Sequence, residues 1–342
     1  MRTTSCLLVT TLLAPLGAQE DKTAPTDPLV LRATIPMPGV PGRLDHLALD
    51  RARHRLLVAA LVHGSVQVID LEHARVSDRV AGLEEPQGIL YLDDVDRVVV
   101  ACGGSGSVEV LRGDDLHPIA TVKVDDDADN LRYDRERKLV WVACGHGALT
   151  AIDAAKWTVV GSIALDAHPE GFQLDVDGQR AFVNLPDARS IAVCDLRKMN
   201  LADRWRLREA RGNFPLALFD DGKAGAWIAT GCRTPGKLLM RAKTDGTAAT
   251  AIDLAGDVDD LAVDPRRRRI YAACGEGVVD VFVRDGATLT ERARVPTAPG
   301  ARTALFDADL DRLFVAAPRR GEQDARILVF TPQDDPPAKT GR

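Results

Sequence analysis

An all-β, seven-bladed β-propeller with four strands per blade is the fold class this sequence predicts, on three observations. The first is a segment that recurs seven times. It consists of an apolar run ending in a small residue, a turn that is often glycine-rich, and a second alternating run, as in "RLLVAALVHGSVQVID", "RVVVACGGSGSVEVLR" and "KLVWVACGHGALTAID". Aligned on the small residue, the copies fall at Ala59, Ala101, Ala143, Asn184, Ala229, Ala273 and Ala316, 41 to 45 residues apart. Each copy reads as a β-hairpin. The second observation is what flanks it: a strand before, ending near an aspartate in "HLALD", "NLRYD", "FQLD", "LAVD" and "ALFD", and after most copies another, such as "HPIATVKV" or "WTVVGSIAL". The third is composition. Aromatic residues are only 4% of the 342, so the core must be built from Val, Leu, Ile and Ala, which suits packed sheets.

Taken in order, the chain begins with Arg2, an apolar run from Cys6 to Ala14 and a small residue at Ala18. That is the pattern of a secretory signal peptide over residues 1–18, cut after Ala18, and it predicts a periplasmic or secreted protein. Cleavage would move the formal net charge from -6 to -7. No later segment approaches the roughly 18 consecutive apolar residues of a membrane span. Residues 19–28 and 333–342 are polar and proline-rich and are expected to be disordered, which leaves the propeller at 29–332. The last copy ends at "ILVFTP" without an outer strand, whereas "PLVLRATIPM" is a strand with no blade before it. Joined, the two complete the seventh blade and close the ring, which removes exposed sheet edges at the seam.

Five cysteines follow Ala18: Cys102, Cys144, Cys194, Cys232 and Cys274. An odd number leaves at least one unpaired. Cys102, Cys144 and Cys274 hold the same place in separate blades, beyond the ~7 Å Cα limit of a disulfide, and are expected to be small buried residues. The absence of any CxxC spacing excludes covalent haem and structural zinc. The run "PRRRR", with Arg266 to Arg269, falls in a turn on the face opposite the proposed site and reads as a solvated turn.

The stretches "GRLDHLALD", "EPQGILYL", "DADNLRYD", "HPEGFQLD", "NFPLALFD" and "PGARTALFD" carry a resemblance. Through them the chain resembles the exported YVTN-type, YncE-like seven-bladed propellers over essentially its whole mature length. The resemblance implies the propeller fold and export. The Tyr-Val-Thr-Asn strand of that family is approached only by "AFVN" at residues 181–184. Because the family's activities are mixed, the resemblance implies no single function.

In a propeller the innermost strands start beside the central channel, and the hairpin turns between second and third strands lie on the same face. The innermost strand starts here carry Asp45 and His46, Gln87, Asp129 and Asn130, Glu170, Asn213, Asp259 and Asp260, then Arg302 and Thr303. Loop composition alone favours Asp and Asn at such places. Convergent polar groups at a concave mouth would also form a ligand site. Of seven histidines, His46 and His168 lie at strand starts and His63 and His146 in hairpin turns, so four map to one face. Asn184 stands where six sister copies have a small apolar residue, and a buried amide there needs partners; Glu170, Asp129 and Asn130, with His146 and His168 nearby, are the expected ones. Asn184 as the cap of a turn before "LPDA" is the other reading.

The acidic stretch "DDDADN" spaces Asp125, Asp127 and Asp129 like EF-hand ligands, but Asn130 stands where the sharp turn needs glycine and the following residues alternate as a strand. A divalent cation, calcium or magnesium, held across blades by Asp129, Glu170 and Asp260 is the remaining metal hypothesis.

These readings define an exported propeller that binds a small molecule or a protein at its polar channel mouth. The alternative is a lactonase-type hydrolase, in which a cation or Arg302 polarises a carbonyl while His46, His168 or a carboxylate moves a proton. No GxSxG nucleophile motif is present. Nucleic acid is disfavoured as a partner, because the acidic balance and few aromatics oppose phosphate contacts and base stacking.

Overall fold

The computed structural model describes residues 27–220 and 225–335. The expected signal peptide at 1–18, and most of the two polar ends, lie outside the described residues. Strands β1 to β28 form seven four-stranded antiparallel sheets. Six blades use consecutive strands: β2–β5 (residues 47–81), β6–β9 (86–123), β10–β13 (128–164), β14–β17 (172–206), β18–β21 (211–253) and β22–β25 (258–296). The seventh is composite. Its strands β26 (Thr303–Asp307), β27 (Arg312–Ala317) and β28 (Ala325–Pro332) are completed by β1 (Leu29–Met37). The pairing of β1 with β28 runs from Leu29 opposite Pro332 to Met37 opposite Ala325, so the chain's two ends close the ring as expected.

Alternation within the strands explains the packing. The small residues that define the repeat, from Ala59 to Ala316, are all buried, and apolar side chains from neighbouring blades meet around them. At the seam Ile35 and Met37 of β1 pack with Leu56 and Val58 of the first blade and Phe314 and Ile327 of the seventh. The cysteines from Cys102 to Cys274 are buried and free. No helix long and apolar enough to cross a membrane occurs among the described residues.

The aspartates that end the innermost strands have a structural task. Asp50, Asp134 and Asp264 are buried and accept from the backbone N–H three residues on, at Arg53 (3.2 Å), Arg137 (3.0 Å) and Arg267 (3.0 Å). Each such carboxylate closes the turn to the second strand.

The arginine run departs from the solvated turn expected of it. Arg266 and Arg268 are exposed, but the side chains of Arg267 and Arg269 are buried. Arg267 reaches Asp264 (2.9 Å) and Asp311 (2.7 Å), while Arg269 donates to the carbonyls of Gln333 (2.7 Å) and Pro28 (3.3 Å) and to Asp335 (2.7 Å). Gln333 N–H also donates to Pro28 O at 2.9 Å. Both ends of the described chain are thereby tied to the sixth blade, which sequence periodicity does not reveal because these contacts span up to 241 positions.

Candidate functional site

The strand starts converge on one face, around a cavity of ≈ 40 Å³ at the channel mouth. Asp45, His46, Asp129, Asn130, Glu170 and Asp260 all line it. Local irregularities aim them. A register shift between Ala128 and Leu131 in β10 (Ala128–Asp134) interrupts the ladder where Asp129 and Asn130 stand, and one between Val258 and Asp260 does the same in β22 (Val258–Asp264). Gly88 permits the close approach of the second blade: a Cβ there would lie 2.1 Å from the Asp129 carbonyl oxygen.

The mouth is dense in charge. Five carboxylates, Asp45, Asp129, Glu170, Asp259 and Asp260, share the cavity with Arg43, Arg132 and His46. Asp45, only 1% exposed, pairs with Arg43 at 2.8 Å. His46 Nδ1 lies 3.6 Å from Asp260 and Nε2 lies 3.8 Å from Asp45. Asp129 Oδ2 accepts from Asn130 at 3.1 Å, whereas its Oδ1 is buried without a hydrogen-bond partner. Burial alone would lower the His46 pKa, but Asp260, Asp45 and Asp129 outweigh it and raise it to about 10. Burial raises Asp129 to about 7, helped by Asp45 and Glu170 and opposed by His46 and Arg43. Burial likewise lifts Asp259 to about 6 against Arg302 and Arg233. His168 is raised to about 9, chiefly by its contact with Glu170 at 3.3 Å.

Next to the mouth lies a larger space of ≈ 320 Å³, whose wall mixes apolar side chains such as Ile89, Leu131 and Phe306 with His46, Arg132 and Asp260. Arg132 stands at the junction and lines both spaces. Its Nε donates to Gln173 Oε1 at 3.1 Å, and its guanidinium lies 5.4 Å from the centre of the Phe172 ring. Burial lowers its pKa.

The other expected site residues fall outside the cavity. Gln87 donates to Asp127 at 2.9 Å, and Arg302 pairs with Asp257 and Asp259, both at 2.9 Å, behind the cavity wall. His146 is exposed beside Asp125 at 2.9 Å. Of the four aspartates in "DDDADN", only Asp129 reaches the cavity. Asn184 and Asn213 are fully buried and serve the fold. The Asn184 side chain turns away from Glu170, Asp129, Asn130 and the two histidines expected around it. Its Nδ2 donates to the carbonyls of Pro215 (2.9 Å) and Phe214 (3.0 Å), and its Oδ1 accepts from Asn213 Nδ2 (2.9 Å). The reason is a register shift between Asn213 and Leu216 in β18 (Arg211–Asp220), which frees backbone carbonyls that the amide satisfies. Of the partners expected for Asn184, only Glu170 meets it, and through the backbone: the Glu170 N–H donates to the Asn184 carbonyl at 3.0 Å. Asn184→Ala is expected to lower unfolding stability by about 2 kcal/mol in urea denaturation while leaving the mouth intact.

The proposed cation ligands Asp129, Glu170 and Asp260 share the cavity, but the grouping of ligand atoms is different. Asp45, His46 and Asp129 bring theirs within 4.8 Å of one another. An imidazole held as the cation by Asp260 is a poor metal ligand, because coordination requires the neutral ring. Sequence reading passed over Arg43 and Arg132. Arg132 escapes the repeat pattern because the bulge at Asp129 and Asn130 breaks the alternation that would assign its face.

Fold and mouth together define a seven-bladed β-propeller with a charge-dense channel opening. Among solved structures, the chain is similar to Kuenenia stuttgartiensis hydrazine synthase, with 18% identity and a TM-score of 0.72 over 90% of this chain and 100% of that one. It is also similar to a chain of a mitotic checkpoint complex, with 16% identity and a TM-score of 0.76 over 96% of this chain and 99% of that one. At such identities the likeness shows the fold alone. No family model matches the chain, and no curated protein matches it in sequence.

Proposed function

We propose that this protein is an exported, YVTN-type binding propeller whose channel mouth takes the ammonium or guanidinium group of a small organic ligand. The observation that carries the reading is the buried, unpartnered Oδ1 of Asp129 inside a ring of carboxylates that outnumbers its cations. An incoming cationic group supplies the missing donor and relieves the repulsion that holds the Asp129 proton. The apolar side chains of the adjoining space, Ile89, Leu131 and Phe306, accommodate the uncharged remainder of the ligand.

The test is calorimetric titration of the full chain with a panel of small amines and guanidines, with calcium and magnesium as separate arms. Binding of an organic cation is expected to weaken about tenfold between pH 8 and pH 6, because Asp129 must be ionised to accept it. It is also expected to fall at least tenfold in Asp129→Asn. Heat from calcium or magnesium alone, or amine affinity that Asp129→Asn leaves unchanged, would overturn the reading.

One observation favours the second reading, a lactonase-type hydrolase. His46 and His168 are held as cations near neutrality and cannot serve as bases, but a carboxyl with a pKa of about 7 is matched to proton transfer at that pH. Opening of simple lactones by the purified protein, lost in Asp129→Asn and measured with and without EDTA, would support it.

A further inference from the structure

We infer that a second cleft on the same face, beside the mouth, is a binding site for a compact tetrahedral anion of the phosphate-monoester or sulfate-ester class. The cleft has a volume of ≈ 300 Å³ and lies between the segment leading into β2 (Leu47–Asp50) and the connection from β27 to β28. Four guanidiniums, those of Arg43, Arg302, Arg319 and Arg320, line it against one carboxylate, Asp257.

Their partners are unequal. Arg43 and Arg302 at the back are neutralised by Asp45, Asp257 and Asp259. Arg319 has no hydrogen-bond or ion-pair partner among the described residues, and Arg320 reaches only the Pro299 carbonyl, at 3.4 Å. An anion in the cleft therefore meets two guanidiniums whose charge no carboxylate of their own offsets. The planar fork of arginine matches two oxygens of a phosphate or sulfate at once.

The cleft is held open by its backbone. Arg320 and Gln323 exchange both backbone hydrogen bonds, each 3.0 Å, which fixes the turn that carries the arginine pair. Gly300 has φ +83°, and a Cβ there would lie 3.0 Å from Arg320 Nη2 and 2.9 Å from Pro318 Cγ. Glycine at that position therefore keeps the space in front of Arg320 clear.

Inorganic phosphate and sulfate, titrated calorimetrically into the full chain at constant ionic strength set by chloride, test the inference. Saturable binding is expected, weakened at least tenfold in the Arg319→Gln/Arg320→Gln double variant, whose altered side chains are exposed and leave the core untouched. Asp257→Asn removes the one carboxylate on the cleft wall and is expected to tighten binding severalfold. Asp129→Asn is expected to leave phosphate affinity unchanged, which separates this site from the mouth. Absence of saturable binding at millimolar phosphate, or binding that the double variant does not weaken, would overturn the assignment. Phosphate affinity that tightens in Asp129→Asn as much as in Asp257→Asn would do the same, by placing the anion beside the mouth carboxylates.

Discussion

Arg269→Ala is expected to destabilise the protein by about 3–5 kcal/mol, the largest effect of any single substitution considered. The Arg269 side chain is 0% exposed, and its guanidinium joins three separate pieces of chain: Pro28 before β1, Gln333 after β28, and Asp335 beyond it. Alanine would leave the Gln333 carbonyl without its donor, take one of two donors from the Pro28 carbonyl and from Asp335, and open a void beneath the seam. Arg269→Lys keeps the charge but not the planar fork, so it is expected to recover less than half of the loss. Asp335→Asn, at a half-exposed partner that Arg292 also contacts at 3.1 Å, should cost about 1 kcal/mol or less. Urea denaturation, comparing midpoints at constant slope, checks the series. A change below about 0.5 kcal/mol for Arg269→Ala would mean that the β1–β28 ladder holds the ring closed without it.

Asp129→Asn is expected to do the opposite, stabilising the fold while abolishing recognition at the mouth. The Asp129 pKa in the folded protein, about 7, lies above its ordinary value of 3.8. The folded state therefore favours the proton, and native stability is lost as pH rises from about 4 to about 7, through both pKa values. Asp259, raised to about 6, acts in the same direction over the lower part of that window. His46 adds to it. With a folded pKa of about 10 against 6.5, its contribution is fully present below 6.5 and disappears as pH approaches 10. Paired carboxylates such as Asp175, lowered by Lys243 and Arg180 against the effect of burial, act in the reverse sense and are lost on acidification. Thermal melts should therefore show a stability maximum on the mildly acidic side of neutrality. At pH 8 the asparagine variant is expected to exceed the parent by about 1–2 kcal/mol, a gain typical of removing a strained functional group, and the difference should vanish near pH 4. Equal pH profiles for variant and parent would refute the electrostatic account of the mouth.

Much of this molecule is legible one residue at a time. The small residue of each copy, the aspartate ending six of the seven innermost strands and the strand left over at either end of the repeat array are local signals, and recurrence of the first two averages out the ambiguity of any one copy. Asp45, His46, Asp129, Asn130, Glu170 and Asp260 were legible as mouth residues for the same reason: position within the repeat fixes which face a strand start occupies. Asn184 shows the limit. The repeat marks it as exceptional, but its direction depends on a bulge in the next blade, so the same signal led to the wrong neighbours. The buried arginines of "PRRRR" show it again, because four like residues in a row differ only in what the distant chain ends bring to them.

The ring, its seven sheets, its closure by the first strand and the face on which polar groups gather follow from alternation and repeat length, which are properties of short segments. Tertiary structure alone decided which charges confront one another: that Asp129 keeps an oxygen without a partner, that His46 is pinned by Asp260, and that two arginines stand uncompensated beside Gly300. Those relations depend on distances of a few ångströms between blades, and Coulomb and hydrogen-bond energies at that range respond to backbone shifts that no local pattern encodes.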